Sequence, residues 1–234
     1  MERTATSGES DTRSSVSLTF DHEMSTAEVE SLRRSLGART ALHVPPGVGA
    51  AFARARRIGF AQSCCPEVGA LMSVLAAAVP GGGRILELGT GAGVGLAWIV
   101  HGLRGRTDVE VVSVEIDPRK SAAAADAPWP EGVTLVVGDA RNLLPSLGRY
   151  DLIFLDVPGQ LKASLLDDTL TALKPGGQLL IDDMNPYWDQ GATRRPRYAG
   201  APERVLEDPR VVCTLLPYAT GMILASRLFG EESA

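Results

Sequence analysis

The chain predicts an α/β fold, a mostly parallel sheet with helices on both faces, on three observations. Residues 84–95 read RILELGTGAGVG: the apolar run Ile85-Leu86-Glu87-Leu88 stops at Gly89, and Gly91, Gly93 and Gly95 follow at alternate positions. The apolar, helix-compatible residues 96–100 come next, so strand, glycine turn and helix start share one short stretch. Residues 109–115 (VEVVSVE) have the β-branched, apolar composition of a parallel strand buried on both faces. From Arg84 onward strand-like and helix-like segments alternate, as a parallel sheet requires.

The elements follow in order. Residues 1–19 are Ser, Thr, Glu, Asp and Arg with almost nothing apolar, the composition of a mobile arm. Residues 20–234 read as one domain whose N-terminal helices fall within 20–80. A helix starts near Met24, capped by Ser25 or Thr26, with Val29, Leu32 and Leu36 at helical spacing and Gly37 at its end. The HVPPGVG stretch, residues 43–49, is a break, with His43 a loop histidine. Residues 50–58 form a helix whose Arg54, Arg56 and Arg57 make a solvated face. SCCPEVGALMSVLAAAV then runs as an apolar helix through Pro80-Gly81-Gly82-Gly83 into the first strand. Further strands are expected at 133–137, 151–155 and 178–181. Helices are expected after Pro118, over residues 122–125, and at 161–173. PRVVCTLLPYATGMILASRLF supplies two last strands around a turn at 217–221.

With 234 residues, 44% hydrophobic and 22% charged, the chain is long and apolar enough for a full core. A net charge of −5 argues against a nucleic-acid partner, which calls for a basic surface. A small molecule is the default ligand. Cys64, Cys65 and Cys213 have neither metal-ligand spacing nor an even disulfide framework. No apolar run is long enough to span a bilayer, so a soluble, cytoplasmic protein is expected, with a homodimer an allowed assembly.

The glycine loop fails the dinucleotide fingerprint. Counting Gly-x-Gly-x-x-Gly from Gly89 or from Gly91 puts the third glycine on Val94 or Leu96. An acid just before the loop, Glu87, would repel a pyrophosphate and suits a ligand with a positive amino group. ELGTGAGVG resembles motif I of the class I S-adenosylmethionine (SAM) methyltransferases. The resemblance implies a Rossmann-like, seven-stranded sheet whose last strand inserts antiparallel, with Glu87, Gly89, Thr90, Gly91 and Gly93 around the methionine part of SAM. Ser63, Glu67 and Gly69 match a Ser/Thr-x-x-x-Glu-x-Gly segment that lines the SAM pocket in O-methyltransferases of the catechol and caffeoyl-CoA type. Glu115 ends the second strand, where an acid accepts hydrogen bonds from ribose hydroxyls, and Ile116 follows it at the implied pocket. Asp117-Pro118 reads as a helix cap. Gly138, Asp139 and Ala140 fall where the family contacts adenine, although Asp139 equally suits a helix N-cap.

YDLIFLDVPGQ brings Asp156 to the carboxyl end of the fourth strand, and LLIDDMNPYW brings Asp182 and Asp183 to the end of the fifth. By the resemblance, Asp156, Asp182 and Asp183 stand at the family's three metal-ligand positions, where the pattern is Asp, Asp, Asn. Mg²⁺ or another divalent cation there would lower the pKa of a bound hydroxyl. Asp183 departs from Asn. The family's lysine base also lacks its spacing: Val157-Pro158-Gly159-Gln160-Leu161 precede Lys162, which lies either one helical turn from the site or on the surface. A metal-free site with an aspartate polarising the acceptor stays open. In the segment 185–198, Tyr187 and Trp188 suit an aromatic or sugar-like acceptor, and Arg194, Arg195 and Arg197 an anionic one; a solvated loop is the plainer reading. The expectation is a SAM-dependent methyltransferase of a small molecule, at oxygen. N-methylation, SAM binding without catalysis and nucleotide-dependent oxidoreduction are the alternatives.

Overall fold

The computed structural model describes residues 43–184 and 201–230. Contacts divide the chain into two units, Met1–Ala41 and Leu42–Ala234; every described residue belongs to the second. The arm 1–19, the helix expected from Met24 and the segment 185–198 lie outside the described residues.

In chain order the elements are α1 (Pro46–Arg57), α2 (Pro66–Ala77), β1 (Arg84–Leu88), α3 (Val94–Leu103), β2 (Glu110–Glu115), α4 (Pro118–Ala125), β3 (Val133–Val137), α5 (Ala140–Leu143), β4 (Tyr150–Leu155), α6 (Gly159–Ala172), β5 (Leu173–Ile181), α7 (Ala201–Leu206), β6 (Val211–Leu216) and β7 (Met222–Arg227). A short 3₁₀ turn, Leu144–Ser146, follows α5. The sheet runs β3-β2-β1-β4-β5-β7-β6. β1 to β5 are mutually parallel, and β7 lies antiparallel between β5 and β6. This is the Rossmann-like, mostly parallel seven-stranded sheet with a closing hairpin that the alternation and the resemblance predicted.

Strand alternation divides the core into two layers. Ile85, Val111, Leu152, Phe154 and Leu180 face α1, α2 and α3, whereas Leu86, Leu88, Ile153, Leu155 and Ile181 face α6 and the C-terminal elements. Each such side chain removed from water contributes on the order of 1.5–3 kcal/mol. α2 and α3 approach closely because Gly69 and Gly102 carry no Cβ: a methyl there would lie 2.2 Å from the Trp98 ring and 2.2 Å from the Ser73 carbonyl oxygen, respectively. Ser73 Oγ donates to Trp98 O at 2.7 Å across the same contact.

Three expectations are corrected. The break at 43–49 is half helix: α1 starts at Pro46, a position where proline's fixed φ fits and its missing N–H costs nothing. β5 starts at Leu173, five residues ahead of its expected start, because Leu173 pairs with Tyr150 and a register irregularity before Leu152 accommodates Lys174-Pro175-Gly176-Gly177. Arg54 is not on a solvated face. It is 8% exposed, its guanidinium lies 5.4 Å from the Trp129 ring centre, and its Nε donates to Ala92 O at 3.4 Å. The α1 face that carries it packs inward, where a flat cation can stack on indole. Arg57 does stay exposed, paired with Asp126 at 2.8 Å. Among the described residues no helix is long and apolar enough to cross a membrane.

Candidate active site at the carboxyl ends of the strands

Sheet register lines up the strand ends. Leu88 pairs with Val114 on one side and Leu155 on the other, and Leu155 pairs with Ile181. One residue further along each strand stand Glu115, Gly89, Asp156 and Asp182, side by side across β2, β1, β4 and β5. The sheet order reverses between β1 and β4, and ligands of open parallel sheets bind at such a switch point.

The loop itself is made of close approaches. Gly89 has φ 104°, and a Cβ on it would lie 2.0 Å from the Asp156 carbonyl oxygen. Only glycine permits both that backbone conformation and that contact. Gly91 N donates to Glu115 Oε2 at 2.8 Å, and Asp117 N donates to Oε1 at 2.9 Å, so Glu115 both shapes the loop and keeps lone pairs for further donors. Ile116, beside it, is 56% exposed, an apolar platform at the rim. Phe60, to which the sequence had assigned no role, packs on the loop: a Cβ on Gly91 would lie 2.7 Å from its ring. Phe60 also lines, with Ile58, Gly59, Gln62, Arg119 and Lys120, a cleft of about 440 Å³.

Glu87 lies behind the loop rather than on it. Its side chain is fully buried, Ser113 Oγ donates to its Oε2, and Thr90 Oγ1 lies 2.5 Å from Ser113 Oγ. Its Oε1 sits where a Cβ of Gly95 would be and has no partner among the described residues. Burial pushes its pKa up to about 8 against the opposing Ser113 hydrogen bond. Any action of Glu87 on a ligand therefore runs through its charge. The signal for its partner was legible: Ser113 is the polar residue of an apolar strand, in register with Glu87.

Asp156 is partly open to the site, and burial together with the nearby Asp182 charge raises its pKa to about 8, with Lys162 opposing. Asp182 is buried. Its Oδ1 accepts from Thr220 Oγ1 and from Asp183 N at 2.6 Å, and burial raises its pKa. Thr220 belongs to the β6–β7 turn, and no local pattern linked it to the site. Asp183 has φ 55° and a half-exposed side chain. Lys162 is neither surface nor rim: it is 1% exposed, and its Nζ donates to Asp182 O at 2.7 Å and lies 3.7 Å from Asp183 Oδ2. Cys64, a free thiol, is buried near Asp156, Asp182 and Glu87, and burial pushes its pKa well up. Ser63 Oγ is buried without a partner among the described residues. Asp139 caps α5 by accepting from Arg141 N at 2.9 Å, and the Arg141 side chain pairs with the same carboxylate. Its hydrogen bond to Arg141 holds its pKa down. Gly138 and Ala140 flank it at the end of β3.

The donor set does not fit a divalent cation. Among the described residues no three His, Cys, Asp or Glu side chains gather as metal ligands. One Asp182 oxygen is committed to two protein donors, and Asp183 faces an ammonium. The glycine loop, by contrast, is held by close contacts that a Cβ on Gly89, Gly91 or Gly93 would break, beside the Glu115 acceptor, and bare backbone of this kind suits the nucleoside and amino-acid parts of SAM.

A doubly wound sheet with a glycine loop and acids at its switch point is the framework on which α/β proteins bind nucleosides, and comparison narrows the class. Residues 86–184 match the methyltransferase domain family. A protein of Mycobacteroides abscessus, provisionally named an O-methyltransferase, is 32% identical over 190 residues, covering 77% of this chain and 87% of the relative. A protein of Mycolicibacterium vanbaalenii with the same provisional name is 31% identical, covering 77% and 83%. The structure of the Podospora anserina methyltransferase PaMTH1 with bound S-adenosylhomocysteine (SAH) superposes with a TM-score of 0.72 at 25% identity, covering 88% of this chain and 98% of that one. The chain belongs to the class I SAM-dependent O-methyltransferases.

Proposed function

We propose that this protein binds SAM across the β1–β4 switch point and transfers its methyl group to a hydroxyl oxygen of a small molecule. The observation that carries the reading is the row Glu115, Gly89, Asp156 and Asp182, an acidic rim around a bare-backbone cradle. SAM supplies an electrophilic methyl on a cationic sulfur. In this reading Gly89, Thr90, Gly91 and Gly93 hold its methionine part, with Ser63 at the pocket wall. Glu115 takes the ribose hydroxyls, Ile116 supports the adenine, and Gly138, Asp139 and Ala140 border it. Glu87 and Asp156 stand where the ligand's ammonium and sulfonium would favour their ionised forms. Asp156 receives the proton of the acceptor hydroxyl, its raised pKa matching it to that task near neutral pH. Lys162, with its Nζ committed to Asp182 O, does not serve as that base. Much of the rate comes from aligning acceptor oxygen, methyl carbon and sulfur.

Calorimetry with SAH and SAM tests the reading. Glu115→Ala removes a charged acceptor for two hydroxyls and is expected to weaken SAH binding by about 10- to 100-fold. Unchanged affinity would remove Glu115 from the site. Failure of the wild-type chain to bind either nucleoside would remove the function.

A further inference from the structure

The methyl-transfer reading leaves the buried Lys162 without a task. It stands in the first turn of α6, where its own N–H bonds to Pro158 O. That turn delivers its side chain inward beneath the end of β5, where it is 1% exposed. A fully buried ammonium is tolerated only with acceptors and opposite charge around it. Both are present: the Asp182 carbonyl oxygen at 2.7 Å and the Asp183 carboxylate at 3.7 Å. Asp156 and Asp182 complete the surroundings, each one residue beyond the paired strand ends Leu155 and Ile181, and the Lys162 charge opposes the upward pKa shift of each. One resident cation therefore stands among three carboxylates. Asp183 meanwhile adopts a left-handed backbone, φ 55°, and its N–H closes on Asp182 Oδ1. Thr220 Oγ1 closes on the same oxygen. Asp182 Oδ1 is thus tied to two protein donors, and among the described residues no three His, Cys, Asp or Glu side chains gather as metal ligands.

We propose that the Lys162 ammonium occupies the electrostatic place that a divalent cation holds in the O-methyltransferases this chain resembles, so that the site is organised by a built-in cation and takes up no metal. The inference rests on the methyl-transfer reading for its significance and on the donor geometry for its content. Lys162 acts here as a positioning residue. It holds the Asp182–Asp183 corner through Nζ and balances the charge of Asp156, and it touches no reacting atom.

The test is titration of the full chain with Mn²⁺, followed by the electron paramagnetic resonance signal of the free ion, with and without SAH. The wild-type chain is expected to show no saturable binding up to about 1 mM, the weak end of oxygen-ligand sites. Its SAH affinity is expected to be the same in EDTA and in Mg²⁺. Lys162→Met, checked for folding by circular dichroism, leaves the carboxylates without their counter-charge and is expected to gain a saturable Mn²⁺ site. A structural role alone would not create one. Saturable binding of one Mn²⁺ by the wild-type chain overturns the proposal, as does a folded Lys162→Met variant that gains none. Should that variant not fold, the wild-type titration decides alone. Loss of SAH binding in the wild type is a separate result: it would sink the methyl-transfer reading while the Mn²⁺ titration still reports on the cation.

Discussion

Asp156 and Glu115 stand at neighbouring strand ends, yet their surroundings give them different work. Glu115 is held by two backbone N–H groups at 2.8 and 2.9 Å, which fix its carboxylate against the loop. Asp156 faces Asp182 and is held up to about 8 by burial and that charge. A base with such a pKa is protonated at pH 6 and ionised at pH 9. Turnover under saturating substrates should therefore rise with pH and level off above about 8. Asp156→Asn should cost about 10²- to 10⁴-fold in kcat and abolish that rise, read from pH–rate profiles of both proteins. A profile unchanged in shape would move the base elsewhere. These roles were legible only in part. The strand-end positions of Glu115, Asp156 and Asp182 follow from period and turn signals. The burial of Lys162 does not, because it depends on how α6 enters against β5, and the partnership of Asp182 with Thr220 spans 38 residues.

Among the elements, the turn from β1 into α3 has the least freedom. Gly95, in the first turn of α3, lies over the Glu87 carboxyl group; an added Cβ would meet Oε1 at 2.2 Å and the Phe154 ring at 3.3 Å. Glu87 cannot swing away without breaking its bond from Ser113. Gly95→Ala should therefore cost about 1–3 kcal/mol, which calorimetric melting would register as roughly 2–4 °C per kcal/mol for a chain of this size. A variant that melts with the wild type would mean that α3 shifts freely on the sheet. Glycine spacing made this turn readable in the sequence. The start of α1 was not, since Pro45-Pro46 suits a break as well as a first helical position, nor was the early start of β5, since Lys174-Pro175-Gly176-Gly177 carries turn chemistry that the pairing of Leu173 with Tyr150 overrides. Arg54 was misread for a related reason: helical periodicity marks which residues share a face but not that the face of α1 is covered by Trp129.

For the molecule as a whole, the fold legible from the alternation of strands and helices concentrates acids at one edge of the sheet, and this has a stability consequence. Glu87 and Asp156 have folded pKa values of about 8, well above those of unfolded carboxyl groups. Between roughly pH 4.5 and 8 the folded chain thus binds protons that the unfolded chain has released, and stability falls as pH rises through that window. The unliganded protein should melt at a lower temperature at pH 8 than at pH 5.5. SAM, a cation, should narrow that gap more than the uncharged sulfur of SAH. Equal melting temperatures at the two pH values would show that these carboxyls ionise freely in the folded state.

The position of β7 between β5 and β6 bears on how the protein is made. The strand that covers the flank of β5 and the threonine that meets Asp182 are both supplied near residues 220–227. A ribosome-bound chain halted after residue 216 would have the glycine loop, Glu115 and Asp156 in hand, yet β5 would be an open edge and Asp182 would lack its Thr220 partner. Closure of the Asp182 corner should therefore be among the last steps of folding, and the unfinished intermediate would expose a strand edge that a chaperone or a second nascent chain can pair with.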